Sequence, residues 1–260
     1  KYKIDIIGLC EVFDNSSRYK YIQLLKNALK NWNVLDQGDK ISYFWQVSSG
    51  LLIFYNNKTI EVLRSKQYIL DYGCMVDKLA AKSVIGMYLK DLQSKEKLWF
   101  IITHLQNGDA GFKNYCKQHT LAQFNQFIEI LNIWSKKHKE NIISVGDFNL
   151  EPGLISDTLL DKYNISKCIP NTKTTCDEKK IIDYVICSHK FKNKLKLTVK
   201  NTEDNPSDHK ILIIEKSDKI NKNSVDPYNK LCIQSYNKLP IYNSYYFIFA
   251  LFAYYYSFYT

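Results

Sequence analysis

The segment Ile142–Leu150 reads IISVGDFNL and joins an apolar run to polar side chains. A short β-branched run bounded by a glycine is typical of a buried strand. Asp147 and Asn149 follow this run directly, so they should lie at the end of the strand. A carboxylate at such a place more often forms a turn or a cap than a functional site. This segment alone therefore predicts a strand, and other segments must decide whether its polar end has a function.

The same arrangement, an apolar run next to a ligand-type side chain, occurs at four other places. Glu11 follows IIGLC, His104 follows WFIIT, and Asp183 interrupts IIDYVIC. The pair Asp208 and His209 comes directly before ILIIE. Side chains at the same edge of a sheet sandwich converge on one spot, where binding and catalytic groups are commonly found. Together these strand ends predict one shared site.

The residue types in this set favour metal-assisted hydrolysis of a phosphate ester. Glu, Asp and Asn oxygens suit Mg²⁺ or a related divalent ion better than zinc. In such a site the metal neutralises phosphoryl oxygens and His209 removes a proton from water. His104 or the amide of Asn149 would stabilise the developing negative charge. The sequence contains no G-x-S-x-G, P-loop or G-x-G-x-x-G motif. It therefore lacks the usual signatures of serine hydrolases, NTPases and dinucleotide-binding proteins.

The surrounding chain alternates between predicted strands and helices. Apolar spacing predicts a strand over Lys3–Leu9, a helix over Tyr21–Trp32 and a second helix over about Lys117–Trp134. Several strands follow one another without helices between them, so the α/β fold must include antiparallel pairs. The further strand candidates are Ile41–Gln46, Leu51–Tyr55, Val84–Leu89, Leu98–Thr103, Ile142–Val145, Ile181–Cys187 and Ile211–Ile214.

Composition bounds the protein class without choosing a partner. The 260 residues are 45% hydrophobic, which excludes wholesale disorder and suffices for one large or two small domains. The net charge of +10 suits a phosphate-bearing polymer or an anionic membrane as partner. A genomic base composition that favours lysine codons would give the same charge. Seven cysteines without a CxxC pair favour disulfides over a zinc ribbon or a thioredoxin-like site.

The C-terminal part differs from the rest of the chain. We predict a catalytic domain over residues 1–215, a polar linker over 216–239 and an aromatic hydrophobic tail over 240–260. As a helix the tail would have about the length of one bilayer span, but its many tyrosines favour the membrane interface. Three alternatives are open: a membrane anchor or interfacial segment, a cleavable tail such as a lipid-anchor signal, and a degenerate or packed terminus.

Five segments together resemble a known motif set. In order and rough spacing they are similar to the motifs of the endonuclease/exonuclease/phosphatase superfamily, which has the DNase I-like fold. The details look most like the neutral sphingomyelinase and bacterial sphingomyelinase C branch. The resemblance implies a four-layer α/β/β/α sandwich with mixed and antiparallel sheets. The segments are IIGLCEVFDN (6–15), THLQNGD (103–109), SVGDFNL (144–150), IDYVI (182–186) and PSDHKIL (206–212).

The resemblance implies a site for Mg²⁺ or Mn²⁺. Glu11 would bind the central ion, and Asp208 would lie beside the ion and the phosphate. His209, counted with these metal residues, would also act as the general base. Asp183 would hold the imidazole of His209 in its working tautomer.

Further roles follow from the same resemblance. Asp147 and Asn149 would contact the phosphate and the attacking water, and His104 would stabilise the phosphoryl oxygens. Asp109 matches a position near the leaving group.

Two other features depend on the comparison with bacterial relatives. Cys74 and Cys116 resemble a pair that these relatives often bridge, which makes them a disulfide candidate. The acidic pair of an accessory metal site is replaced here by Ser48 and Ser49, so we expect no second metal there. The superfamily's first strand, which carries an Asn near the phosphate, is absent from this sequence.

The activity implied is a phosphodiesterase of the phospholipase C type that cleaves sphingomyelin to ceramide and phosphocholine. It would act as a monomer on a phospholipid membrane, secreted or on an extracytoplasmic face, with an internal membrane as the alternative. Other members of the superfamily are nucleases, apurinic-site endonucleases and inositol phosphatases, and an inactive relative is a further alternative. Solvated Lys-Asn runs such as 190–200, in place of Arg-rich loops, argue against nucleic acid.

Overall fold

A computed structural model describes residues 4–13, 15–36, 48–71, 73–74, 79–108, 113–136, 139–172, 174–176, 180–200, 207–217 and 244–251. The helices in these parts are α1 (Asn15–Ala28), α2 (Lys113–Lys136) and α3 (Asp157–Lys162). The strands are β1 (Ile4–Cys10), β2 (Trp32–Leu35), β3 (Leu52–Asn56), β4 (Ile60–Ile69), β5 (Ser83–Asp91), β6 (Lys97–His104), β7 (Asn141–Asp147), β8 (Ile165–Cys168), β9 (Asp183–Ser188), β10 (Leu195–Lys200), β11 (Ile211–Ser217) and β12 (Ser244–Leu251).

The strands form two six-stranded sheets. The first sheet has the order β10-β11-β12-β1-β3-β2, and the second has the order β4-β5-β6-β7-β9-β8. Two pairs are parallel, β1 with β12 and β6 with β7, and the other neighbours are antiparallel. Helix α1 packs on the first sheet and α2 packs on the second. This arrangement confirms the four-layer α/β/β/α sandwich with mixed and antiparallel sheets.

Strand β6 shows why several predicted strands are continuous apolar runs. Phe100 and Ile102 pack into the core between the two sheets, whereas Trp99 and Ile101 pack into the core that includes α2. Successive side chains of a strand point to opposite faces, so a strand covered on both sides needs apolar residues at every position. Burying each large apolar side chain stabilises the fold by roughly 1.5–3 kcal/mol.

Most predicted strands are confirmed within one or two residues at their ends. The candidate Ile41–Gln46 lies outside the described residues. Five strands were not predicted, namely β2, β4, β8, β10 and β12. The first four lie at the sheet edges, where polar side chains replace the apolar runs that sequence periodicity detects. The segment of β12 was assigned to the hydrophobic tail.

The first helix was predicted too far along the chain. Helix α1 begins at Asn15 and ends at Ala28, and Trp32 starts strand β2 and pairs with Asn56. The amide of Asn57 also donates to the carbonyl of Asn31 at 2.9 Å. Pairing with β3 therefore overrides the helical spacing of Leu29 and Trp32, because tertiary contacts outweigh local propensity. The second helix was predicted correctly, apart from a few residues at each end.

Residues 244–251 of the predicted tail form strand β12 in the first sheet. The three alternatives for the tail stay predictions. Within the described parts of the chain, no helix is long and apolar enough to cross a membrane. The domain boundaries at residues 215 and 239 stay predictions.

Candidate active site

Strands β6 and β7 bring the first two polar side chains together. The strands are parallel and in register, so His104 pairs directly with Asp147 at their carboxyl ends. Close approach is possible because Gly146 lacks a Cβ, which would lie 2.2 Å from the carbonyl oxygen of Thr103. His104 Nε2 lies 3.6 Å from Asp147 Oδ2 and 3.5 Å from Glu11 Oε1. Glu11 follows β1, so the site joins the edges of both sheets.

Asp183 and His209 form the second part of the site. Asp183 pairs with Asp147 across β7 and β9, and its Oδ2 lies 2.9 Å from His209 Nδ1. The other ring nitrogen, Nε2, lies 3.8 Å from Asp147 Oδ2. The backbone amide of Asp183 donates a hydrogen bond to the hydroxyl of Thr175, and Cys176 forms a β-bridge with His209. These contacts orient the imidazole with Nε2 towards the centre of the site.

Glu11 and Asn149 have left-handed backbone conformations, with φ of 61° and 49°. Such conformations are uncommon for residues other than glycine and often occur at functional sites, where surrounding contacts maintain them. The Asn149 amide side chain donates to the carbonyl of Leu105 at 2.9 Å and to Asp147 Oδ2 at 3.2 Å. Its backbone amide donates to Asp147 Oδ1 at 2.8 Å. Asn149 therefore fixes the Asp147 carboxylate and the loop after His104.

The two histidines have opposite electrostatic environments. Burial lowers the pKa of His104 well below its usual value, and the positive charges of Lys82 and His209 lower it further. His104 is therefore neutral at pH 7 and can donate one hydrogen bond. Burial of His209 would also lower its pKa, but the hydrogen bond to Asp183 and the charges of Asp183, Asp147 and Asp208 together raise it to about 10.

The carboxylates around His209 carry negative charge that the protein only partly compensates. Burial raises the pKa of Asp147 well above its usual value, and the charge of Asp183 adds to this effect. Burial likewise raises the pKa of Asp183, against the hydrogen bond and charge of His209. Ligand atoms of Asp147, Asp183 and His209 all lie within 4.8 Å of one another. This buried, oxygen-rich set fits a hard divalent cation. Glu11 lies outside the three-residue set, on the far side of His104, whose Nε2 lies between Glu11 and Asp147.

The remaining predicted site residues are placed as follows. Asp208 is exposed and outside the three-residue cluster, although its charge contributes to the raised pKa of His209. Asp109 lies outside the described residues. Cys74 and Cys116 are joined by a disulfide. The backbone amide of Cys74 donates to the side-chain carbonyl of Gln106 at 2.8 Å, so the disulfide supports the loop after His104.

Two residues of the site had no role in the sequence analysis. Lys82 is buried, and its charge adds to the burial that lowers the pKa of His104. Burial raises the pKa of Cys10, and there the charge of Lys82 is a small opposing effect. Thr175 is buried, and its hydroxyl oxygen accepts hydrogen bonds from the backbone amides of Ile182 and Asp183 at 3.0 and 3.1 Å. A lysine at the start of an apolar strand was the available signal for Lys82, whereas a threonine in a polar loop gives no signal.

A polar cleft continues from the site on the side of Asn149. It has a volume of about 120 Å³. Its walls include the amide residues Asn107 and Asn149 and the charged residues Lys117, Glu151 and Lys180. The apolar residues Leu150, Leu154 and Ile182 complete the lining, so the cleft is only partly polar.

The fold and the site define a metal-dependent hydrolase of phosphoester bonds. The sequence profile of the Endonuclease/Exonuclease/phosphatase family matches residues 1–209. The chain belongs to this family. No curated protein sequence matches it.

Several solved structures share the fold at low sequence identity. A beta toxin variant from Staphylococcus aureus with bound magnesium ions has a TM-score of 0.62 and 18% identity, covering 81% of this chain and 85% of the toxin. Sphingomyelinase C from Streptomyces griseocarneus has a TM-score of 0.58 and 16% identity, covering 76% of each chain. A mannosyl-6-phosphatase from Bacteroides thetaiotaomicron has a TM-score of 0.58 and 15% identity, covering 81% and 84%.

Proposed function

We propose that this protein is a Mg²⁺-dependent phosphodiesterase of the phospholipase C type, with sphingomyelin as substrate and ceramide and phosphocholine as products. The observation that carries the proposal is the oriented imidazole of His209. Its Nδ1 lies 2.9 Å from Asp183, and its Nε2 faces the buried carboxylate of Asp147. A histidine held in this way is suited to remove a proton from a water molecule.

The chain's own groups supply the remaining steps. Neutral His104 donates a hydrogen bond to a nonbridging oxygen of the phosphate, and Asn149 and Asp147 position the attacking water. Glu11 and Asp147 would hold a divalent cation, which would supply positive charge to neutralise the phosphoryl oxygens. In its neutral form His209 accepts the proton of the water at Nε2, and Asp183 stabilises the resulting imidazolium. The water oxygen forms a new bond to phosphorus as the bond from phosphorus to the ceramide oxygen breaks. The ceramide oxygen takes a proton from solvent, and His209 releases to solvent the proton that it accepted.

The substrate and the membrane rest on two further supports. Among proteins of the same fold are a sphingomyelinase C and a beta toxin, and the motifs quoted above resemble that branch. The net charge of +10 favours an anionic membrane surface. We also propose that the protein is secreted or acts on an extracytoplasmic face, because a disulfide such as Cys74–Cys116 persists in an oxidising compartment. We further propose that the protein acts as a monomer.

The test measures phosphocholine release from sphingomyelin vesicles with Mg²⁺ and with EDTA. We expect release that needs the metal and is abolished in His209→Gln. The matched control is His189→Gln, because His189 is a histidine outside the site whose Nε2 contacts the carbonyl of Ile165 at 2.7 Å. Nicking of supercoiled DNA without lipid turnover would contradict the proposal and identify the protein as a nuclease. Absence of both activities would favour an inactive relative.

A further inference from the structure

Two cysteine thiols face each other on neighbouring strands of the second sheet. Cys168 is the last residue of β8 and Cys187 lies near the end of β9, with their sulfur atoms 3.3 Å apart. Cys168 pairs with Val185 and Cys187 with Ser166, so the two cysteines are diagonal neighbours, and both pack into the core between the sheets. A disulfide bond is about 2.0 Å long, so a small movement of the side chains would join them.

The two thiols differ in their access to solvent. Cys168 keeps 7% of its surface exposed and lines a cleft of about 540 Å³, whereas Cys187 is fully buried. The other charged residues of this lysine-lined cleft are Lys167, Lys192, Lys194, Lys196 and Glu215. Because Lys167 forms an ion pair with Asp157 at 3.0 Å, three lysines remain against one carboxylate. The cleft therefore favours a small molecule with negative charge.

The surroundings of the pair give the two thiols different reactivity. The hydrogen bond with Cys187 lowers the pKa of Cys168, and the charge of Lys192 also lowers it, against the effect of burial. The same hydrogen bond, burial and the charge of Cys168 raise the pKa of Cys187. The thiolate is the reactive form of cysteine, so Cys168 is suited to attack first and Cys187 to resolve the product.

The segment between the two cysteines supports the candidate active site. It contains Thr175, whose hydroxyl accepts the backbone amide hydrogen bond of Asp183 at 3.1 Å. It also contains Cys176, which forms a β-bridge with His209. A bond between the two cysteines, which are 19 residues apart in the chain, would close this segment into a covalent loop and restrict its opening.

We propose that Cys168 and Cys187 form a thiol–disulfide exchange site, that its substrate is a small anionic disulfide bound in the lysine-lined cleft, and that the resulting Cys168–Cys187 disulfide restrains the segment that supports His209. The Cys168 thiolate attacks one sulfur of the small disulfide and releases the other half as a thiolate. Cys187 then gives its proton to solvent and attacks the Cys168 sulfur of the mixed disulfide, which releases the second half. The cysteine pair loses two electrons and two protons, and the small disulfide is reduced to two thiols. This chemistry does not depend on which phosphoester is hydrolysed.

Peptide mapping of the full chain tests the exchange. The protein is reduced with dithiothreitol, desalted and incubated with oxidised glutathione, which is anionic, or with cystamine, which is cationic. N-ethylmaleimide in urea then traps the remaining thiols. Trypsin separates Cys168, Cys176 and Cys187 into the peptides 168–173, 174–179 and 181–190. We expect peptides 168–173 and 181–190 to become linked, at least about tenfold faster with oxidised glutathione than with cystamine.

The same sample contains its own controls. The disulfide Cys74–Cys116 should be present after oxidation, and Cys176 should be trapped as a thiol. Trapping of both Cys168 and Cys187 as thiols while Cys74–Cys116 has re-formed would refute the exchange site. Equal rates with the two probes would overturn the anionic substrate.

Cysteine and lysine variants assign the roles. In Cys187→Ser we expect a mixed disulfide of Cys168 with glutathione to accumulate, whereas in Cys168→Ser we expect Cys187 to stay a thiol. A glutathione adduct on Cys187 in Cys168→Ser would contradict the order of attack. Lys192→Gln should slow oxidation by glutathione at least about threefold. Lys20→Gln, at an exposed lysine of α1 outside the cleft, removes the same charge and should leave the rate unchanged; equal slowing in both variants would exclude the cleft.

Hydrogen exchange tests the restraint on the segment. The amide of Thr175 donates to the carbonyl of Lys180 at 2.9 Å, so its exchange reports opening of the segment. We compare the oxidised wild type with Cys168→Ser oxidised in the same way, which keeps Cys74–Cys116. We expect the Thr175 amide to exchange at least about threefold more slowly in the wild type, with equal rates for β5 in both proteins. Equal rates at Thr175 would overturn the restraint.

Discussion

The imidazole of His209 depends on one carboxylate for both its orientation and its charge. Asp183 Oδ2 contacts Nδ1 at 2.9 Å, and the same carboxylate is the main group that raises the pKa of His209 against burial. Asp183 in turn is fixed by β9, by its pairing with Asp147 and by the hydroxyl of Thr175. At the scale of single residues, the function therefore depends on buried hydrogen bonds more than on exposed charges.

Replacing Asp183 with asparagine should impair catalysis more than folding. Asp183→Asn keeps the shape but removes the charge and the tautomer preference, so we expect kcat to fall by roughly 10²–10⁴-fold. The measurement is Mg²⁺-dependent hydrolysis of bis(p-nitrophenyl) phosphate, a soluble phosphodiester. The control is Asp161→Asn, because Asp161 also lies beside a histidine, His189, but at the surface. Activity of Asp183→Asn close to that of the wild type would disprove this role.

The raised pKa of His209 predicts how stability depends on pH without metal. The folded pKa is about 10 and the ordinary value is 6.5. The favourable interaction is therefore complete below about pH 6.5 and is lost as the pH rises towards 10. In EDTA, we expect the stability advantage of the wild type over His209→Gln to shrink between these pH values. Urea unfolding at several pH values measures the difference in free energy of unfolding between the two proteins. A difference that grows with pH would contradict a raised pKa of His209.

At the scale of elements, the parallel pair β6 and β7 determines the centre of the site. Their register places His104 beside Asp147, and Gly146 allows the two backbones to approach. Sequence reasoning identified both strands and both polar ends from their apolar runs. It could not give the register, because register depends on contacts between segments that are far apart in the chain.

Adding one methyl group at Gly146 should separate these strands. In Gly146→Ala the new Cβ would overlap the carbonyl oxygen of Thr103, so we expect a loss of at least about 1–3 kcal/mol in the free energy of unfolding. Gly153→Ala is the matched control, since a Cβ there meets nothing within 4 Å and should change stability by less than about 0.5 kcal/mol. Chemical denaturation measures both variants, and equal stabilities would show that the strands can move apart without cost.

At the scale of the whole molecule, the fold determines the candidate site, whereas the net charge determines the long-range electrostatic attraction to a partner. The candidate catalytic side chains lie where the edges of the two sheets meet, whereas most of the lysines whose exposure the structure describes are on the outer surface. The net charge of +10 acts over the Debye length, about 10 Å at 0.1 M salt, and does not depend on the arrangement of the site. The charge therefore bears on the proposed association with an anionic membrane more than on the reaction.

This charge predicts salt-dependent binding to anionic vesicles. We expect the His209→Gln variant, which cannot turn over substrate, to bind phosphatidylserine vesicles at about 0.05 M salt and to dissociate at about 0.5 M salt. Sedimentation of vesicles measures the bound fraction. Vesicles of phosphatidylcholine alone are the control and should bind little at either salt concentration. Binding that is equal at both salt concentrations would show that electrostatic attraction is not the cause.

The sequence by itself determined the class of fold and most of the site. Apolar runs ending in Glu11, His104, Asp147 and Asn149 carry a local signal, because a strand buried on both faces must be apolar and its end is where polar groups can converge. The tertiary structure decided what local signals cannot encode. It placed Asp183 and His209 2.9 Å apart, raised the pKa of His209 through its neighbours, and paired residues 244–251 of the tail with β1 and β11. These properties arise from distances between residues remote in sequence, which only the folded chain defines.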